Sequence, residues 1–202
     1  PLISYTIQAG KKSKYIDNII VSTDGKEIAN VARNYGANVP FFRPKELSED
    51  NSNVITAITY TIEELKKRGE YYDILVLLQP TSPFRNEKHI DEALELLINN
   101  NLTSILSVCE SDKSPTLIRK IDENRKIKPL IESNISLRQK MEKYYLLNGA
   151  IYINYIKDIK IDKYLKDNEY GYIMDKYHSI DIDEPIDLEI AKLYLERNMV
   201  IL

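Results

Sequence analysis

Residues 73–85, with the sequence DILVLLQPTSPFR, decide the fold class of this protein. The apolar run at 74–78 is typical of a strand that is buried on both faces of a parallel sheet. Pro80 and Pro83 exclude regular structure after it and predict a stiff loop where the strand ends. Ligands of open α/β sheets bind beyond the carboxyl ends of the strands, so this loop is predicted to border a binding site.

Helical and strand-like patterns alternate on both sides of this segment. Helices are predicted at residues 2–14, 26–35, 53–68, 87–99 and 185–198, and strands at 18–23, 73–78, 103–110, 149–155 and 170–174. Such alternation predicts an α/β fold, with a largely parallel sheet and helices on both faces. After residue 111 the pattern changes, and residues 118–131 are predicted to form an antiparallel hairpin.

The composition excludes several classes of protein. The 202 residues are 43% hydrophobic and carry a net charge of −3, which argues against a nucleic-acid-binding protein. The longest apolar runs are far shorter than the roughly 20 residues of a membrane helix. The single cysteine, Cys109, excludes an internal disulfide and a cysteine-based zinc site. Together with the lack of a signal peptide, it predicts a cytoplasmic protein.

Residues 179–185, SIDIDEP, contain a candidate metal site. Alternate residues of an extended segment share a face, so Ile180 and Ile182 are expected to face the core, with Asp181 and Asp183 side by side on the other face. Adjacent carboxylates suit Mg²⁺, whose coordination shell is completed by water and substrate phosphates. Asp183 could instead cap the following helix, but that explanation leaves Asp181 unaccounted for.

Three polar loops have ordinary explanations beside functional ones. The loop at 79–85 is either a rigid surface turn or a ligand-binding loop. Residues 50–53 can cap the helix that follows them, and exposed N–H groups at a helix start can also hold an anion or a base edge. Asn148 and Gly149 form a turn that enters a strand, with Tyr152 in alternation. Residue types alone leave these alternatives open.

Taken together and in this order, the motifs resemble those of the acylneuraminate cytidylyltransferases, the bacterial CMP-sialic acid synthetases. The strings that carry the resemblance are PLI at 1–3, VSTD at 21–24, RP at 43–44, LLQPTSP at 77–83, HI at 89–90, NGAIYI at 148–153 and SIDID at 179–183. The resemblance covers essentially the whole chain. It implies a Rossmann-like nucleotide-diphospho-sugar transferase fold in a single domain over residues 1–202, with arm or dimerisation elements near 130–147 and 156–172.

The resemblance also implies a reaction, in which a nine-carbon acidic sugar attacks the α-phosphate of CTP to give a CMP-sugar and pyrophosphate. It implies a homodimer and a divalent cation, Mg²⁺ or another, held by Asp181 and Asp183 as catalytic residues. The implied nucleotide-binding residues are Arg43, Ser52 and Asn53. The implied substrate-binding residues are Gln79, Ser82, Arg138, Asn148, Tyr152 and Tyr164. Arg138 would reach the sugar carboxylate in the neighbouring subunit.

Three departures from the family pattern affect these expectations. The family has a strand and a phosphate-binding loop ahead of the PLI string, whereas this sequence starts at Pro1, so these 202 residues alone are expected to be inactive. Asn53 and Val54 replace a common Ser-Ser pair. Leu146 replaces an arginine of some relatives, which leaves sialic, legionaminic, pseudaminic and other acidic sugars open. A catalytically inactive sugar-nucleotide-binding or assembly subunit is the alternative.

Overall fold

The computed structural model describes residues 1–49, 52–131, 142–160 and 165–200. Its α-helices are α1 (Leu2–Lys12), α2 (Lys26–Asn34), α3 (Val54–Lys67), α4 (Glu87–Asn99) and α5 (Pro185–Glu196). Its strands are β1 (Ile74–Leu77), β2 (Ser104–Glu110), β3 (Arg119–Ile121), β4 (Ile127–Pro129), β5 (Tyr145–Tyr155) and β6 (Tyr170–Met174). The predicted long helices are therefore present, with ends that differ by two residues or fewer. Within the described ranges, no helix is long and apolar enough to cross a membrane.

The main sheet has four strands in the order β1-β5-β2-β6. β5 lies between β1 and β2 and is antiparallel to both, whereas β6 is parallel to β2. β1, β2 and β6 therefore run in one direction, and the predicted α/β class is confirmed. The sheet is mixed because β5 runs against both of its neighbours.

Residues 18–23, predicted as a buried strand, make only one isolated parallel bridge, between Ile20 and Asn38. The Val21 N–H donates to the Asn38 carbonyl at 2.9 Å. Among the described residues, no strand pairs with this segment, so it does not form part of a sheet. β1 is likewise half-buried rather than buried on both faces, and it is an edge strand that pairs with β5 in the described part of the chain.

The antiparallel hairpin is confirmed as β3 paired with β4. The next strand, β5, begins four residues before its predicted start at residue 149. Most of the predicted arm falls on residues 132–141, and part of a predicted short helix falls on 161–164; both lie outside the described residues. The segment at 179–182, expected to be extended, contains no strand, and it is tied instead to the loop after β1.

The core joins the sheet to α4 and to the loop at 79–85. Buried side chains of α4 pack against β2, β5 and β6. A second cluster brings Phe84 of the loop against Ala191 of α5, with Ile180 and Ile182 packed beside them. This contact confirms that Ile180 and Ile182 face the core. It also places the aspartates of the same segment at the sheet edge that carries the loop.

Candidate functional site

The candidate site lies where the loop after β1, the Asn-Gly turn in β5 and the segment before α5 meet. Gly149 has a φ of +70° and lies directly against the side chain of Gln79. A Cβ atom at position 149 would collide with Gln79 Oε1 and would lie 3.5 Å from Asp181 Oδ2. Gln79 and Asp181, two candidate site residues about a hundred positions apart in the sequence, therefore both lie beside Gly149.

Asp181 is held at the site by its neighbour in the chain. The Ile182 N–H donates to the Thr81 carbonyl at 2.8 Å and so fastens the aspartate segment to the loop. Asp181 Oδ1 is buried without a hydrogen-bond partner in the described structure. A buried carboxylate oxygen without a partner is costly, because the group has lost its water. A divalent cation would satisfy that oxygen, so the residues present fit the implied metal.

Asp183 is exposed, and it does not cap α5. Its backbone N–H donates to Asp187 Oδ2 at 3.1 Å, and the Glu184 N–H donates to the same oxygen at 2.8 Å. The residue at the N-cap of α5 is Glu184. The expectation that Asp183 caps this helix is therefore wrong, because the cap lies one residue later and Asp187 binds the free N–H groups. The Asp183 carboxylate remains available to a cation.

Ser82 and Asn148, two of the predicted substrate-binding residues, are buried. Ser82 Oγ donates to the Asn148 carbonyl at 3.3 Å. Asn148 Oδ1 accepts from Ser107 Oγ at 2.6 Å, and its Nδ2 donates to Ser179 Oγ at 2.9 Å. These bonds join the loop, β2, β5 and the aspartate segment. Both residues hold the site together from inside the protein.

Arg85 is also directed into the protein, although its place in a polar loop suggested a ligand-facing side chain. Only 1% of its surface is exposed. Its guanidinium donates to the Ser82 carbonyl at 2.9 Å, to the Gln79 carbonyl at 3.3 Å and to Thr6 Oγ1 at 2.9 Å. Burial lowers the pKa of Arg85 to about 9, so the group stays charged at neutral pH.

Tyr152 and Gln79 open into a cleft of about 180 Å³ whose far wall is the start of α3, at Asn53. Tyr152 follows the Asn148–Gly149 turn by three residues on β5, and its side chain is half-buried. Burial raises the pKa of the Tyr152 phenol, and the nearby Asp181 carboxylate raises it further. The phenol is therefore protonated at neutral pH and can donate a hydrogen bond into the cleft.

The predicted nucleotide-binding residues Arg43, Ser52 and Asn53 each make local hydrogen bonds ahead of or at the start of α3. Asn53 Oδ1 accepts from a backbone N–H in the first turn of α3 at 3.1 Å, the geometry of a helix cap. Ser52 Oγ donates to the Glu46 carbonyl at 2.8 Å, and Arg43 Nε donates to Ser48 Oγ at 2.9 Å. Among these three residues, Asn53 lines the cleft. Arg138 and Tyr164 lie outside the described residues.

One cluster of possible metal ligands was not predicted from the sequence, because its two histidines lie far apart along the chain. His89, Asp175 and His178 each offer a possible ligand atom within 4.8 Å of the others. His89 Nδ1 accepts the Asn86 N–H at 3.2 Å, and this hydrogen bond places the ring proton on Nε2. His178 Nδ1 lies 2.6 Å from Asp175 Oδ2. A protonated Nε2 is a donor and not a metal ligand, so the cluster is best explained as a helix cap packed against an oriented histidine.

The comparisons with known proteins agree with this geometry. The family model described as cytidylyltransferase matches residues 1–201. The chain is 36% identical to CMP-N,N'-diacetyllegionaminic acid synthase of Legionella pneumophila, over 98% of this chain and 86% of that protein. It is 30% identical to pseudaminic acid cytidylyltransferase of Campylobacter jejuni over the same shares. It is 33% identical to N-acylneuraminate cytidylyltransferase of Escherichia coli, over 95% of this chain but 45% of that protein.

A solved structure supports the fold independently. A CMP:2-keto-3-deoxy-manno-octonic acid synthetase complexed with CTP superposes with a TM-score of 0.69 at 11% identity, over 98% of this chain and 88% of that one. At that identity the likeness concerns the fold alone. The match over nearly the whole sequence and the curated relatives at 30% identity or more show that this chain belongs to the acylneuraminate cytidylyltransferase-like family of cytidylyltransferases.

Proposed function

We propose that this protein transfers the cytidylyl group of CTP to a nine-carbon acidic sugar, with release of pyrophosphate. The observation that carries the proposal is the meeting of Gln79, Gly149 and Asp181 at one point beside the cleft. The family membership supports the CTP-dependent chemistry, and the names of the relatives support an acidic nonulosonic sugar.

In the proposed reaction, the anomeric hydroxyl oxygen of the sugar forms a bond to the α-phosphorus of CTP. The bond from that phosphorus to the oxygen bridging to the β-phosphate breaks, and the hydroxyl proton passes to solvent. Asp181 and Asp183 would hold a divalent cation that neutralises charge on the phosphates. Two carboxylates bind Mg²⁺ weakly, so we expect the cation to arrive mainly with CTP.

The side chains around the cleft suit complementary parts of the two substrates. Gln79 carries both a donor and an acceptor but no charge, which suits sugar hydroxyl and amide groups better than a metal. Tyr152 offers a donor on the same wall. Asn53 and the first residues of α3 also line the cleft, and the start of a helix suits a base edge or a phosphate.

The choice of sugar is the finer part of the proposal. We propose a legionaminic-type acid as the first substrate to test, because the relative that makes a CMP-legionaminic acid shares 36% identity, against 33% and 30% for those named for N-acylneuraminate and pseudaminic acid.

We also propose a homodimer. Large apolar side chains are exposed on the β3–β4 hairpin, where Ile121 is 69% exposed and Ile127 is 65% exposed. Leu146 on β5 and Ile173 on β6 are each 58% exposed. Exposed apolar side chains such as Ile121 and Ile127, which lie opposite each other in the hairpin, mark interaction surfaces. A second copy of this chain is the proposed occupant. Replacing Ile121 and Ile127 by Asp should lower the mass measured by light scattering to that of one chain.

The proposal is tested with CTP, Mg²⁺ and a panel of sialic, legionaminic and pseudaminic acids, with mass spectrometry of the CMP-sugar and a pyrophosphate assay. Asp181→Asn keeps the shape of the side chain but removes a charge, so turnover should fall steeply at limiting Mg²⁺ while the melting temperature is kept. Near-normal turnover of this variant would overturn the metal assignment. CTP binding without any product would favour the inactive binding subunit.

A further inference from the structure

Arg85 is a buried cation without an acidic partner. Its side chain is 1% exposed, and no Asp or Glu forms an ion pair with it among the described residues. Its Nε atom is buried with no hydrogen-bond partner. An unpaired buried charge destabilises a fold, and an apolar side chain of similar size often serves stability better. The residue therefore needs an explanation other than stability.

The bonds of the guanidinium supply that explanation. One terminal nitrogen donates to the Ser82 carbonyl at 2.9 Å, and the other donates to the Gln79 carbonyl at 3.3 Å. The second nitrogen also donates to Thr6 Oγ1 at 2.9 Å, which anchors the group to α1. One planar group therefore holds both ends of the turn from Gln79 to Ser82 against the body of the protein.

The same turn carries the site. The Gln79 side chain projects from its first residue to Gly149, and the carbonyl of Thr81 in its middle accepts the Ile182 N–H beside Asp181. A shift at the Gln79 end of the turn would therefore move the Gln79 amide away from Gly149. The guanidinium lies beneath the turn and does not itself enter the cleft, whose lining includes Gln79 but not Arg85.

We propose that Arg85 is a positioning residue, which holds the Gln79–Ser82 backbone so that the Gln79 amide meets the acidic sugar. This inference rests on the proposed function. Lysine cannot replace arginine here, because one ammonium group does not reproduce a planar fork that reaches two carbonyls and a hydroxyl together. The charge is kept in Arg85→Lys, so this variant changes the geometry of the hydrogen bonds more than the electrostatics.

The kinetic test uses Arg85→Lys with Arg33→Lys as its matched control. Arg33 also donates to a backbone carbonyl, that of Val39 at 2.9 Å, but makes no bond to the turn. Arg85→Lys should raise the KM for the sugar about tenfold or more while the KM for CTP changes less than about twofold. In a Gln79→Ala background the same change should have little further effect, because the group that Arg85 positions is gone.

Hydrogen exchange tests the inference without activity. The Ser82 N–H lies 3.3 Å from the Gln79 carbonyl, so its exchange reports on the turn. This exchange should be faster in Arg85→Lys and unchanged in Arg33→Lys. If Arg85→Lys does not fold, Thr6→Val removes one anchor of the guanidinium and should give a smaller change in the same direction.

Unchanged exchange at Ser82, equal effects on both substrates, or additive effects of Arg85→Lys and Gln79→Ala would each overturn the inference. A wild-type protein that makes no CMP-sugar would count against the proposed function, while the exchange experiment would still decide the role of Arg85.

Discussion

Replacing Gly149 by Ala should damage the sugar site while leaving the CTP site nearly intact. Gly149 has a φ of +70°, and an added methyl group would collide with Gln79 Oε1. Gly69 provides a matched control, because its φ is +81° and a Cβ atom there would meet nothing within 4 Å. Both variants carry the strain of a left-handed alanine, but only one of them displaces a functional side chain.

The expected magnitudes follow from these two contributions. The left-handed conformation costs an L-residue about 1–2 kcal/mol, which should lower the melting temperature of either variant by about 2–8 °C for a chain of this size. In Gly149→Ala the Gln79 amide must also move by about 1 Å, and a misplacement of that size can cost about 100-fold in rate. We therefore expect kcat/KM for the sugar to fall between about tenfold and 100-fold, equivalent to about 1.4–2.7 kcal/mol.

The assay measures kcat/KM for each substrate, together with thermal melts of both variants. Gly69→Ala should lose stability to a similar extent but keep its activity at temperatures well below the melt. If Gly149→Ala matched Gly69→Ala in sugar kinetics, or lost CTP affinity as strongly as sugar affinity, the placement of Gln79 at the sugar would be refuted.

Three further outcomes follow from the structure. Asp183→Ala should reduce turnover with little loss of stability, whereas Asp187→Ala should lower the free energy of unfolding by about 1 kcal/mol with turnover kept; the reverse pattern in denaturant melts and kinetics would contradict the assigned cap. Burial, with a contribution from His178, lowers the pKa of His89 to about 4 from its usual 6.5. Between pH 6.5 and pH 4, His89 is therefore protonated in the unfolded chain but neutral in the folded protein, and the folded state loses stability as the pH falls. Urea melts at pH 7 and pH 4.5 should show that the wild type loses about 2 kcal/mol of stability between these pH values. His89→Gln, which can keep the helix cap, should lose less. Equal losses in the two proteins would show that His89 is not the group responsible. Gln79→Ala should raise the KM for the sugar far more than that for CTP, and an equal rise in both constants would argue against its assignment.

Much of the fold could be predicted because its signals are local. The apolar period and the closing glycines at Gly36 and Gly69, both with positive φ, placed the helices within two residues. The alternation at Ile180 and Ile182 correctly predicted which face of the segment meets the core. The β5 strand was predicted only in part, because its direction and its place between β1 and β2 depend on pairing between residues that lie 35 to 81 positions apart in the chain.

The site was harder to predict because a loop has no period that sets the direction of its side chains. Ser82, Arg85 and Asn148 are polar residues beside a binding cleft, yet the packing of Phe84 and the bonds of the turn direct them inward. The pairing of His89 with His178 likewise depends on how α4 meets the segment before α5.

The sequence by itself determined the α/β class, the family resemblance, the position of the loop after β1 and the face of the segment at 180–182 that meets the core. Each of these depends on residues that lie close together in the sequence, so their spacing can be read directly from it. Only the tertiary structure decided that Gln79 lies against Gly149 and Asp181, and that Arg85 supports the turn from beneath. Those contacts join distant segments, and a loop side chain turns toward the partner that satisfies its hydrogen bonds once the core has packed.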